Sequence, residues 1–197
     1  IEVQYLLDTI KDMTFDNIYH EHVNYWSVTS LNNFFKRLGL CLYKVEHIDT
    51  HGGSIRAYIK MEFSDIHESV DIFINNENEF GIDKYQTYKE FSNKLKNIKL
   101  NVNSNINLLK SKFKKIAAYG SPAKATTALN YFGIDNTIID YTIEDNILKV
   151  GKFIPGINIP IKDKEYCFNN LPNVIIVLAW NFFEEIKKNN KELIDCG

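Results

Sequence analysis

Between residues 27 and 39, apolar side chains recur three and four apart at Leu31, Phe34, Phe35 and Leu38, behind Ser27, Thr29 and Ser30 and ahead of Gly39. That spacing predicts an amphipathic helix with a hydroxyl cap at its start and a left-handed residue past its end. Leu40 to Ile48 alternates and Ile55 to Phe63 alternates again, which predicts two strands joined through Gly52 and Gly53. Upstream, Ile1-Glu2-Val3 reads as the end of a buried strand, and Leu6, Leu7 and Ile10 as a short helix. From Asp83 onward, Tyr85, Tyr88, Phe91, Leu95, Ile98, Val102, Ile106, Leu109 and Phe113 predict one long amphipathic helix. About 30 residues at about 1.5 Å each would span about 45 Å, enough to connect two packed units. The Asn-rich run from 101 to 107 lowers the helix propensity and leaves room for a break, although the apolar stripe continues through it.

Past this helix the rhythm changes. Lys115 to Tyr119 predicts a buried strand, Gly120 to Pro122 a turn, and Ala123 to Phe132 a helix closed by Gly133. Ile138 to Ile143 predicts a second strand, Gly151 to Ile161 a rigid loop and Val174 to Leu178 a third strand. Asn181 is expected to cap a last helix through Phe182, Ile186 and Leu193. Alternating strands and helices imply a small parallel sheet with helices on its faces. The pattern divides the chain into residues 1–80, a connecting helix over 81–114, and a second α/β domain over 115–197. The strand-like start without an initiator Met suits a chain that begins inside a larger protein.

Composition narrows the classes. With 45% hydrophobic and 13% aromatic residues the chain can bury a real core, and a net charge of -2 gives no basic excess for nucleic acid or an anionic membrane. Cys41, Cys167 and Cys196 are odd in number and far apart, against a disulfide framework or a structural zinc site within this chain and in favour of a reducing, cytoplasmic setting. No apolar run approaches the roughly 20 residues of a membrane span, and the start lacks the n-region and h-region of a signal peptide.

The densest chemistry lies in Phe15 to Ser27, FDNIYHEHVNYWS. In an extended segment His20 and His22 would point to one side and Tyr19 and Glu21 to the other. Three readings fit: a histidine general base assisted by Glu21 or a tyrosine, a pair of hydrogen-bonded histidines that order a loop, and a metal site with His47 or His51 as a third ligand. His51-Gly52-Gly53-Ser54-Ile55-Arg56 reads as a hairpin turn whose glycines also permit close approach to a ligand. Arg56 is a fork-shaped donor for carboxylate or phosphate, or a surface or structural charge. Tyr119-Gly120-Ser121-Pro122-Ala123-Lys124 opens a helix after a strand. There an anion could meet Ser121 and Lys124, although the segment is neither a G-x-G-x-x-G fingerprint nor a P-loop. Ala179-Trp180-Asn181 follows the last strand at its carboxyl end, where ligands of open α/β sheets bind.

Taken in order, FDNIYHEHVNYWSVTSL, HGGSIR, AYGSPAKATTALNYFGI, Glu144-Asp145-Asn146 with GKFIPGINIPI, and VLAWNF resemble the sugar C-methyltransferases that act on nucleotide-linked deoxy-keto-sugars. The resemblance covers nearly the whole chain. It departs from the family's usual residues at Ile147, Ala125 and Asn173, none of them in the YHEH core. It implies an α/β fold in two parts: the end of a class I (Rossmann-like) methyltransferase sheet over 1–80, and, after the connecting helix, a second small Rossmann-like domain that helps hold the nucleotide-sugar.

The same resemblance implies methyl transfer from S-adenosylmethionine to the carbon beside the sugar ketone through an enolate. His22 would be the base, with Tyr19, His20 and Glu21 shaping the site. His51, Gly52, Gly53, Ser54, Arg56, Tyr119, Gly120, Ser121, Lys124 and Asn181 would contact the substrate. The main cofactor loop and the family's zinc-binding region are expected outside this chain, so the isolated chain should not turn over. Two alternatives stand beside this: a non-catalytic nucleotide-sugar binding module, and a metal-dependent keto-sugar isomerase or epimerase.

Overall fold

Val3 and Tyr5 turn one way and Glu2 and Gln4 the other, and this alternation sets the two faces of the first sheet. The computed structural model describes residues 1–49 and 52–195. It divides into two units, Ile1–Lys96 and Asn97–Gly197. The first contains β1 (Glu2–Gln4), α1 (Leu6–Lys11), a 3-10 turn (Phe15–Asn17), α2 (Val28–Arg37), β2 (Cys41–Ile48), β3 (Ser54–Lys60) and α3 (Ser69–Phe80). The sheet order is β1-β3-β2, and β3 is antiparallel to both neighbours, so β1 and β2 run parallel to each other. Tyr5, Val28, Leu31, Leu42, Val45, Ile55 and Val70 form the core.

The hydroxyl cap expected for α2 is present. Ser27 Oγ accepts from the Ser30 N–H and Ser30 Oγ accepts from the Ser27 N–H, both at 3.0 Å. A second cap comes from α3, where the fully buried Glu77 accepts from Val28 N (2.6 Å), Thr29 N (2.9 Å) and Thr29 Oγ1 (2.6 Å). Helix α3 repeats Val70, Phe73, Ile74, Glu77 and Phe80 at helical spacing, with this carboxylate in place of an apolar residue on its buried face.

Helix α4 (Tyr85–Lys112) runs unbroken through the Asn-rich stretch. The division between the units falls within it: Phe91 packs on the first unit's core, and Val102, Ile106 and Leu109 on the second's.

The second unit continues with β4 (Ile116–Tyr119), α5 (Ala123–Phe132), β5 (Tyr141–Ile143), β6 (Ile161–Lys162), α6 (Lys164–Asn169), β7 (Val174–Val177), a 3-10 turn (Trp180–Phe182), α7 (Phe183–Asn189) and α8 (Lys191–Asp195). Its sheet is fully parallel in the order β6-β5-β4-β7, a Rossmann-like arrangement. The strand order reverses at β4, which makes the carboxyl ends of β4 and β7 a topological switch point.

Three expectations need correction. The second strand shortens to β5, because residues 135–139 form a turn in which Ile138 and Ile139 donate to the Asp135 carbonyl. The loop before the last strand ends in β6 and is followed by α6, neither of which the pattern predicts; two residues are too few to show a period. Finally, Asn181 caps nothing. It lies exposed inside the second 3-10 turn, Phe182 holds the N-cap position of α7 without a side-chain bond, and the last helix divides at Asn190 into α7 and α8.

Candidate functional site

The YHEH segment is launched from a buried anchor, since Phe15, Asp16 and Asn17 are all withdrawn from solvent. Beyond it the chain turns instead of extending: the His22 N–H donates to the Tyr19 carbonyl at 3.0 Å. A turn brings its first and fourth residues together, so the expected alternation of Tyr19 and Glu21 against His20 and His22 does not occur. Tyr19 and His22 meet edge to face with ring centroids 4.9 Å apart and planes at 88°. Tyr25 stands 6.4 Å from His22 by ring centroid and donates to the Asn17 carbonyl at 3.0 Å. Tyr19 donates to Glu21 Oε2 at 3.2 Å.

Burial, and then the charge of Glu21, pushes the Tyr19 phenol above its ordinary range; burial does the same to Tyr25. Both phenols therefore stay neutral donors beside the imidazole. His20 and Glu21 are exposed and His22 is half-buried. An open cavity of about 480 Å³ is lined by Glu21, His22, Asn24, Trp26, Gln4 and Ser54, among others. Sequence reasoning did not single out Gln4, Tyr25 or Trp26; for Tyr25 the signal was the aromatic density of the same motif.

The Gly-Gly turn approaches its own chain closely. Gly53 has φ +110°, and a Cβ there would come within 2.7 Å of three Asp8 side-chain atoms. His47 is held by Asp8 (Nε2 to Oδ2, 2.7 Å) and Asp49 (Nδ1 to Oδ1, 3.3 Å), which removes it as a ready third ligand for His20 and His22. His51 lies outside the described residues. Among the described residues no group of three or more His, Cys, Asp or Glu is placed to hold a metal. Arg56 pairs across the strands with Glu2 Oε2 at 2.9 Å, so its fork already has a carboxylate. Ser54 is buried opposite Gln4.

In the second unit the candidate groups gather at the strands' carboxyl ends. The Ser121 N–H donates to Glu144 Oε2 at 2.9 Å, and the Ser121 hydroxyl bonds the same oxygen. Lys149 Nζ lies 2.9 Å from the Ser121 carbonyl and 3.7 Å from Glu144. Tyr119 donates to Asp145 Oδ2 at 2.7 Å, and Lys164 reaches Asp145 Oδ1 at 3.0 Å. Burial pushes both carboxyls up. The opposing hydrogen bonds win, from the Ser121 hydroxyl on Glu144 and from Tyr119 and Lys164 on Asp145, and hold both below their ordinary ranges.

The amide of Ser121, two residues ahead of α5, is thus answered by a carboxylate of the same chain. Lys124 also stands at the switch point, its ammonium 5.3 Å from the centre of the Trp180 ring. Gly120 (φ +85°) joins the two turns, and a Cβ there would stand 3.2 Å from the Ala179 Cβ. Asn181 lies next to Trp180 in the chain, and the structure gives it no contact with this network.

A Rossmann-like α/β protein with a histidine–tyrosine cluster in its first unit and a polar network at the strand ends of its second is the class these features define. The family of the C-methyltransferase C-terminal domain matches residues 49–197. C-methyltransferase NovU of Streptomyces niveus is 32% identical over 199 residues, an alignment that takes in 100% of this chain and 47% of NovU. The chain belongs to the C-methyltransferase family, and it spans about half the length of that relative. The YHEH segment precedes the family match and lies within the alignment to NovU. No helix among the described residues is long and apolar enough to cross a membrane.

Proposed function

We propose that this chain supplies the proton-abstracting and substrate-holding part of a C-methyltransferase that acts on a nucleotide-linked deoxy-keto-sugar. The observation that carries the reading is the His22 imidazole, set against Tyr19 by a tight turn and lining an open cavity. A ketone acidifies the neighbouring C–H. His22 takes that proton on a ring nitrogen, the C–H electron pair becomes the enolate, and the carbon is then nucleophilic. Tyr19 and Tyr25, both neutral, fix the ring without competing for the proton. Lys124 with Trp180 offers an ammonium and an aromatic face suited to the diphosphate and base of the nucleotide.

S-adenosylmethionine supplies an electrophilic methyl group. The described residues of the first unit contain no Gly-rich strand–turn–helix to grip it, so no residue here is assigned to the donor. We place its binding with the part of the protein that corresponds to the rest of NovU's length.

His22→Ala, introduced into the protein that carries this chain together with a donor-binding half, tests the reading. Methyl transfer should fall by about 10²–10⁴-fold. Calorimetric titration should still show binding of a nucleoside diphosphate sugar. Unchanged turnover removes His22 from the mechanism.

A further inference from the structure

Gln4 closes β1 at its carboxyl end and pairs across the ladder with Ser54, on the face opposite the core. It is only 5% exposed, and neither Nε2 nor Oε1 of its carboxamide has a hydrogen-bond partner. A buried amide with both ends unanswered opposes folding, and native chains rarely keep one without a use for it. Gln4 lines the same cavity as Glu21 and His22.

The reaction proposed above develops negative charge on the ketone oxygen and needs a donor for it. Tyr19 gives its proton to Glu21 and Tyr25 gives its own to Asn17. Glu21 is an acceptor, and His22 is occupied by the proton it removes. Asn24 is water-exposed, where a donor is weaker than in a withdrawn site.

We propose that Gln4 receives the substrate's ketone oxygen, an inference that rests on reading the cavity as a carbon-acid site. Nε2–H donates to the oxygen, and the bond strengthens as the C–H electron pair moves toward it and the proton passes to His22. Oε1 accepts from a hydroxyl of the same sugar. The carboxamide is built before substrate arrives, so the orphaned polar atoms of the free protein are the ones that become satisfied in the complex.

Gln4→Met and Gln4→Glu in the donor-competent protein test this by solvent-deuterium exchange at the carbon beside the ketone, measured without methyl donor. Gln4→Met should slow exchange by about 10²–10³-fold, with KM changed by less than about threefold and Tm unchanged or raised, because an apolar side chain removes the orphaned groups. Gln4→Glu, matched in size, should be at least as slow, since its charge opposes the enolate. It carries the test alone if the Met variant does not fold. Exchange within about threefold of the parent in a folded variant overturns the assignment, as does a fall in Tm for Gln4→Met that marks the amide as a structural partner. A parent enzyme that exchanges no deuterium overturns the carbon-acid reading itself, and the role of Gln4 with it.

Discussion

The two units present polar groups at the ends of their strands in opposite ways. In the second, Ser121, Glu144, Lys149, Tyr119, Asp145 and Lys164 answer one another before any ligand arrives. In the first, the titratable cluster sits on an irregular turn, His20 and Glu21 face solvent, and the Gln4 amide is unanswered. A satisfied network fixes geometry and contributes to stability; an unsatisfied one is a demand that substrate can meet. On the function proposed above, the first unit's open cluster would carry the chemistry and the second unit's pre-formed network would give the nucleotide a fixed shape to meet.

The largest effect expected from breaking this contrast lies at the start of α2, which follows the YHEH segment in the chain. Glu77→Ala strips three donors at the start of α2 of their acceptor and opens a cavity, which should cost about 3–5 kcal/mol. The chain's two tryptophans fall one in each unit, Trp26 and Trp180, so fluorescence of single-Trp variants during urea unfolding reads the units separately. The Trp26 transition should shift and the Trp180 transition should hold. A shift of both by equal amounts would end the treatment of the units as separate responders.

Next in size is the acid response of the second unit. Glu144 and Asp145 are held below their ordinary values, so their stabilisation is complete above the unfolded carboxyl range, near pH 4, and is lost as pH falls through the folded values. Glu144→Gln should cost about 1–2 kcal/mol at neutral pH. It should also flatten the decline in stability below about pH 4. An acid limb identical to the parent's would show that the Ser121–Glu144 bond carries no such linkage. The smallest effect is expected for Lys124→Met: loss of the ammonium held over Trp180 should weaken binding of a nucleoside diphosphate by about two- to fivefold, the size of a weak ion pair. An unchanged Kd would move the nucleotide away from the switch point.

Much of the frame was legible because its residues report their own surroundings. The hydroxyls ahead of α2, the alternation of β2 and β3, and the strand–turn–helix from β4 into α5 are local signals, and each element forms there, although β3 ends at Lys60, short of the expected Phe63. What escaped depends on partners distant in sequence. The capping role of Glu77 in α3 is invisible locally, because it answers amides 48 and 49 residues away. Glu144 was visible in the motif, but its partner Ser121 lies 23 residues back. Gln4 lies just past the Ile1-Glu2-Val3 run, and its burial is set by the fold and not by any local pattern. The side-by-side placement of Tyr19 and His22 was missed for a local reason: alternation presumes an extended chain, and a single N–H bond to the Tyr19 carbonyl replaces it with a turn.

The near-contact between Gly120 and Ala179 has an evolutionary reading. A methyl group added at either position enters the same narrow space, so the turns after β4 and β7 share one steric allowance. Substitutions there should be epistatic: Gly120→Ala and Ala179→Gly together should cost less than the sum of the two alone. The residues tolerated after one strand should therefore depend on those present after the other, and a change at one position should favour a compensating change at its neighbour.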